Sequence, residues 1–334
     1  MQEPCLVNGF NSLEPVSYDN PDATSHCGWT TKDRIVLRTL KAAPSLEVLF
    51  DLKDTNTTFN NVYENNALSL MQGTLWKMSP PLWELREMGI PWATPGTENY
   101  LHRLPVIDEQ TPTVTAENYL CHYEYEICVL ARLIGHLFSY KNLHENGMAI
   151  SAIHDALVRI WTFCRIFGCG KYHQADWEGQ QEWLAGGVRA NGLTGSFSFG
   201  WESSEVLALA PEGFGRGNSS GLSIRQTKIM QSVWRRLQQR LRHKVEQDFA
   251  IRPPRGWNSG DVDTWVSYIL TLGLAAVDCL LLSNNPLQEA EDLGWVPTPA
   301  AIPPAGFLQD ACTRWLNHLL VRQPSVRHRV SLPS

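Results

Sequence analysis

The sequence predicts an all-α fold: short helices in the N-terminal third, followed by a larger helical domain with long loops. Three observations carry that prediction. Apolar residues recur at three- and four-residue spacing through most of the chain, and no stretch alternates with the period of a strand. Helix-start chemistry precedes these runs: Ser223 is followed by Gln226 in a capping box, and Thr115 precedes Asn118 by three. The composition, 43% apolar and 19% charged, is that of a globular chain, and thirteen tryptophans supply large anchors for helix packing.

Taken in order, residues 1–32 are rich in Asn, Asp, Ser and Pro without helical period and read as a loose tail. Residues 33–93 read as a short-helix segment. Ile35, Leu37, Leu40, Leu46, Leu49 and Phe50 open it, Leu68, Leu70, Met71 and Leu75 continue it, and breaks fall at Pro44 and TNTTFNN. Pro80, Pro81, Pro91 and Pro95 punctuate the chain as far as a polar linker, 94–115. The domain 116–322 starts with a stripe of Tyr119, Leu120, Tyr123, Ile127, Leu130, Ile134, Leu137 and Phe138. A second stripe runs Ile150, Ile153, Leu157, Ile160, Trp161, Cys164 and Phe167, and is expected to end in a left-handed glycine at Gly168 or Gly170. A helix over about 175–185 stops at Gly186-Gly187. Then come a basic helix over about 223–247, an apolar helix over 262–282 and a last helix near 305–322. Residues 323–334 read as a frayed tail.

The start, MQEPCLVNGF, shows no basic, apolar leader, and eight cysteines are thinly spread, so reduced thiols and an intracellular, cytoplasmic or nuclear, setting are expected. The apolar run 265–282 is slightly short for a bilayer and contains Asp278, so a buried helix is expected rather than a membrane span. Net charge is −6, but Gly221–Arg255 holds nine Lys or Arg against two acids, leaving −13 for the remainder. That polarity excludes a general nucleic-acid binder; the basic stretch suits an acidic partner. On its helix, Arg235, Arg236, Arg240 and Arg242 are the candidate partner-binding residues.

The stretch 159–187 places Cys164, Cys169, His173, Asp176, Glu178 and Glu182 close together. Its C-x₄-C-x₃-H spacing has no second ligand pair, so no metal site is expected, and Cys164 falls on an apolar stripe. Asp176 and Glu178 suit a helix start. GFGRGNSSG lacks the ending of a phosphate-binding loop, and no serine sits in a nucleophile elbow. No catalytic residue and no cofactor is assigned.

The phrases LWKMSPPLWELREMGIPW, IWTFCRIFGCGK, GQQEWLAGG, EGFGRGNSSGLS and TWVSYILTLGLAAV resemble, in the same order along the chain, segments of a group of filamentous-fungal F-box-like proteins. The resemblance spans most of 33–310. It implies a helical F-box-like segment over 33–93, docking on a Skp-type adaptor of a cullin ubiquitin ligase, and a C-terminal region that recruits an unidentified protein substrate. By that resemblance Leu37, Leu40, Pro44, Leu46, Leu49 and Phe50 are adaptor-binding. The segment opens TTKDRIVLRTL, without the Leu-Pro start usual in that family. The residues alone leave an alternative open. A fungal biosynthetic enzyme would hold a small molecule in an aromatic-lined pocket, with Asp176, Glu178, Asp261, Asp263, Asp278, His154 and His173 to draw on.

Overall fold

A capping box starts the described chain. Thr30 Oγ1 accepts from the Asp33 amide while the Asp33 carboxylate accepts from the Thr30 amide at 2.9 Å, satisfying two orphan donors of helix α1 (Thr31–Lys41). The computed structural model describes residues 29–87, 115–137, 149–168, 175–186, 218, 221–251, 259–295 and 306–322. Among these residues the fold is all-α, as expected, with thirteen helices and no strand. Most of the tail 1–32, the linker and the loop 188–221, together with residues 323–334, Pro91, Pro95, Cys169 and His173, lie outside the described residues.

After α1 come α2 (Leu46–Lys53), α3 (Thr57–Glu64) and α4 (Ala67–Met78). Ser45 caps α2 and Asn56 caps α3, each through its side-chain oxygen. Pro80 and Pro81 do more than punctuate: they form the first turn of α5 (Pro80–Glu87), where a missing N–H costs nothing. Helix α5 buries every residue from Pro81 to Arg86, so it lies inside the molecule despite carrying three charges. Trp83 meets Trp76 of α4 edge to face, ring centroids 4.8 Å apart.

The larger part holds α6 (Ala116–Leu137), α7 (Ile150–Phe167), α8 (Trp177–Leu184), α9 (Ile224–Ile251), α10 (Ser259–Leu272), α11 (Leu274–Leu282), α12 (Pro286–Asp292) and α13 (Phe307–Arg322). The caps read from sequence are made: Thr115 Oγ1 accepts from the Asn118 amide, and Ser223 and Gln226 satisfy each other. Helices α7 and α9 pack on each other, and most other helices of this part lean on one of them. One apolar cluster runs from Val36 to Trp315, including Trp161, Trp183, Trp265 and Trp295. No helix among the described residues is long and apolar enough to cross a membrane.

Two glycines correct the reading of the sequence. The apolar run expected as one helix over 262–282 is broken at Gly273, whose φ of 114° is costly for any residue with a Cβ. A Cβ there would also sit 3.2 Å from Trp161 Nε1. Gly168 does end α7, but with φ −70° and ψ 179° it is extended rather than left-handed. It is glycine because a Cβ would overlap the carbonyl oxygens of Thr271 and Cys164, where α7 and α10 approach closely. Gly186 follows the end of α8, where the stop was expected, with φ 75° in the left-handed conformation.

Trp161 is 2% exposed and lies against Gly273, where α10 gives way to α11. Trp161→Ala should therefore cost about 3–5 kcal/mol, the usual loss for deleting a buried aromatic and leaving a cavity. Urea denaturation followed by circular dichroism would show a large fall in midpoint. An unchanged midpoint would mean that the ring does not anchor α7 to the break at Gly273.

Candidate functional site

The stripe of α6 turns further than its apolar residues alone suggest. Its buried face is Tyr119, His122, Glu126, Val129, Leu130, Leu133 and Leu137, so a carboxylate occupies a core position. Leu120, Tyr123, Ile127 and Ile134, expected on the stripe, are half-buried on its flank. Glu126 has a side-chain exposure of 0%. A charge taken out of water needs opposite charge and hydrogen bonds close by.

Two arginines supply them. Arg86 of α5 and Arg165 of α7 each donate from Nη1 to Glu126 Oε1, at 2.7 and 2.8 Å, the length of charge-assisted bonds. Arg165 also donates to the Leu85 carbonyl, and its guanidinium lies 4.9 Å from the Trp161 ring centroid. The next residue of α5, Glu87, accepts at Oε1 from the Tyr119 hydroxyl at 3.0 Å and from Gln72 Nε2 of α4 at 3.2 Å. Burial pushes the Glu87 carboxyl above its ordinary range, against the pull of these bonds and of Arg86. Burial, and then the Glu87 charge, raises the Tyr119 hydroxyl well above its own. Four helices thus meet at one polar cluster inside an apolar core. None of these charges was singled out in the sequence, although a Glu on the buried face of a helical stripe, and charges flanked by Trp and Leu in PPLWELRE, are the available signals.

The residues named from sequence lie elsewhere. Leu40, Leu46 and Leu49 are 0%, 5% and 0% exposed and belong to the core, so they do not form an outward docking surface. The reason is geometric: helices of eight to eleven residues have few apolar side chains, and the best of them close the bundle. Leu37 and Phe50 are half-buried against that core, and Pro44 is exposed. The large apolar side chains turned outward on α1, α2 and α4 are Ile35 at 60%, Val48 at 36% and Met78 at 39%.

On α9, Arg235 and Arg240 are exposed and Arg236 is half-buried. Arg242 is engaged already, with Glu246 Oε1 at 2.8 Å and Asp263 Oδ1 of α10 at 3.0 Å. The four arginines therefore differ in exposure, and Arg242 is already paired. Asp278 finds its partner on α6: Arg132 Nε and Nη2 donate to Oδ2 at 2.9 and 2.6 Å. Asp176 caps α8 by accepting from the Gly179 amide at 2.9 Å. Asp176, Asp263 and Asp278, three of the acids available to an enzyme, are thus held at three separate joints. Cys164 is buried and its thiol faces the Leu270 carbonyl at 3.3 Å. Among the described residues no group of three His, Cys, Asp or Glu side chains could hold a metal ion. Comparison with models of known protein families, with curated proteins and with solved structures found no match.

Glu126→Gln would remove the carboxylate that two buried guanidiniums share, and should cost about 3–5 kcal/mol, as for breaking a buried pair from one side. Chemical denaturation would detect this; a loss below about 1 kcal/mol, typical of surface pairs, would show the cluster to be water-accessible. Glu87 gives a pH signature. Its folded pKa is raised above the ordinary 4.5, so the folded state holds the proton more tightly than the unfolded chain. Stability from this group is complete below the unfolded pKa and falls as pH rises through the folded one. Glu87→Gln removes that titration, so its stability relative to the parent should climb from about pH 4 towards neutrality. Parallel stability profiles of parent and variant across that window would contradict the assignment.

Proposed function

We propose that this chain is a protein–protein interaction module whose N-terminal helices dock on a partner while the larger helical part presents a second surface. The F-box-like resemblance gives that reading a concrete form, a substrate receptor that joins a Skp-type adaptor of a cullin ubiquitin ligase to a target protein. The observation that carries it is the join between the two parts. Helix α5 is buried and bonded to α6 and α7 through Arg86, Glu126 and Arg165, so a partner held by α1–α4 is held in a fixed attitude to the rest. A receptor that positions a target needs such stiffness. Outward apolar side chains at Ile35, Val48 and Met78, with Pro44 beside the half-buried Leu37 and Phe50, give the N-terminal helices contact material. With Leu40, Leu46 and Leu49 in the core, contact falls to Leu37, Pro44 and Phe50 among the six residues named by resemblance.

Affinity capture of the purified chain with a recombinant Skp-type adaptor tests the receptor form. The double change Leu37→Ala with Pro44→Ala should leave the helical circular-dichroism signal intact and weaken adaptor binding about thirtyfold or more, as for loss of a central anchor worth about 2 kcal/mol. Failure of the parent to retain the adaptor at micromolar concentration would refute the receptor form.

A further inference from the structure

Helix α1 is amphipathic, with Val36 and Leu40 in the core and a cationic face outside. Arg34, Arg38 and Lys41 follow one another at four- and three-residue spacing, so they share one side of the helix, next to Ile35. All four are exposed, Ile35 by 60%. Among the described residues none of these cations forms an ion pair. The helix's one acid, Asp33, is bonded to Thr30. At the far end Lys77 of α4 donates to the Lys41 carbonyl and adds a further positive charge.

Arg38 and Lys41 lie in the last turn, where the helix dipole favours them. Lys32 and Arg34 do not: they stand near the positive end of the dipole, where cations destabilise the helix. Four cations on one short helix, two of them against its own electrostatics and with an exposed isoleucine between them, are not accounted for by folding. A membrane is a poor fit, because a helix that lies on lipid buries its apolar face there, and the apolar face of α1 is spent on the protein core.

We propose that the outward face of α1 docks an acidic segment of a partner protein. The partner's carboxylates pair with Arg34, Arg38 and Lys41, and one of its apolar side chains seats on Ile35. Charge complementarity selects the occupant: exposed cations that form no ion pair among the described residues attract a segment of opposite sign, and the apolar contact fixes its register. The inference rests on the interaction-module reading but uses a different set of residues from the adaptor contacts.

The test is fluorescence anisotropy of the full chain with a labelled helical peptide bearing Glu along one face and Leu along its seam. The expected result is saturable binding that weakens as salt is added and falls about tenfold or more in the variant Arg34→Glu with Arg38→Glu. Ile35→Ser, which leaves every charge in place, should also weaken it. An equal charge change on α9, Arg235→Glu with Arg240→Glu, should leave binding within about twofold, because those exposed arginines belong to a different helix from the docking face. Circular dichroism of each variant excludes unfolding, and Arg34→Gln with Arg38→Gln serves if the reversal variant is not folded. The inference is overturned if the peptide does not bind, or if the α1 and α9 variants lose binding equally. It is equally overturned if α1 instead mediates binding to phosphatidylserine vesicles or dimerisation of the chain. Adaptor capture by a parent that ignores the peptide would overturn this inference and leave the receptor reading standing.

Discussion

The carboxylate of Glu126 is the point from which the architecture follows. It is fully buried, and its first oxygen takes one charged bond from α5 and another from α7. Desolvating those groups is expensive, and their mutual attraction repays it only when all three helices are in one arrangement. A close-packed apolar core resists slides and rotations through shape; a buried carboxylate held between two guanidiniums adds a directional requirement. Apolar packing supplies the bulk of the stabilisation here, and the charge cluster selects which packing is adopted. Glu87, Tyr119 and Gln72 extend the same constraint to α4, so the N-terminal helices are registered on the larger part by polar geometry rather than by shape alone.

Around that cluster the tryptophans and glycines work as complements. Trp161 lies against the backbone of Gly273, and its ring also faces the Arg165 guanidinium, so one side chain links the helix break to the charge cluster. Gly168 lets the end of α7 touch the backbone of Thr271. Large flat side chains fill the space between helices only where the facing backbone can come close, and glycine provides that access. Phe163 continues the theme at the other side of α7, meeting Trp183 and Phe307 edge to face at 5.7 and 5.1 Å.

Much of the fold was legible because it rests on local rules. Helical periodicity, the Thr115 and Ser223 caps, the Gly186 stop and the burial of Trp161 and Cys164 all follow from neighbours in sequence. What was not legible depends on residues far apart in the chain. The Gly273 break lies inside an apolar run that one helix or two would satisfy equally, and only the approach of Trp161 decides. Arg132 and Asp278 are separated by 146 positions, and no local pattern in the sequence joins them. Leu40, Leu46 and Leu49 have the same character whether they face a partner or a core, and burial alone separates the two. The charge cluster escaped notice because Glu and Arg on a helix usually mark its wet side.

The apolar run broken at Gly273 has a consequence during synthesis. Before folding, the nascent chain presents the run 265–282 as a continuous apolar stretch, close in length to the roughly 20 residues that membrane-insertion machinery accepts. Gly273 falls at its centre, where a flexible residue weakens a straight helix, and Asp278 adds a penalty of order 2–3 kcal/mol for entering lipid. The aspartate that Arg132 covers in the finished protein therefore also raises the free energy of placing the unfolded segment in lipid. It biases an ambiguous segment away from the bilayer before any of its tertiary partners has been made.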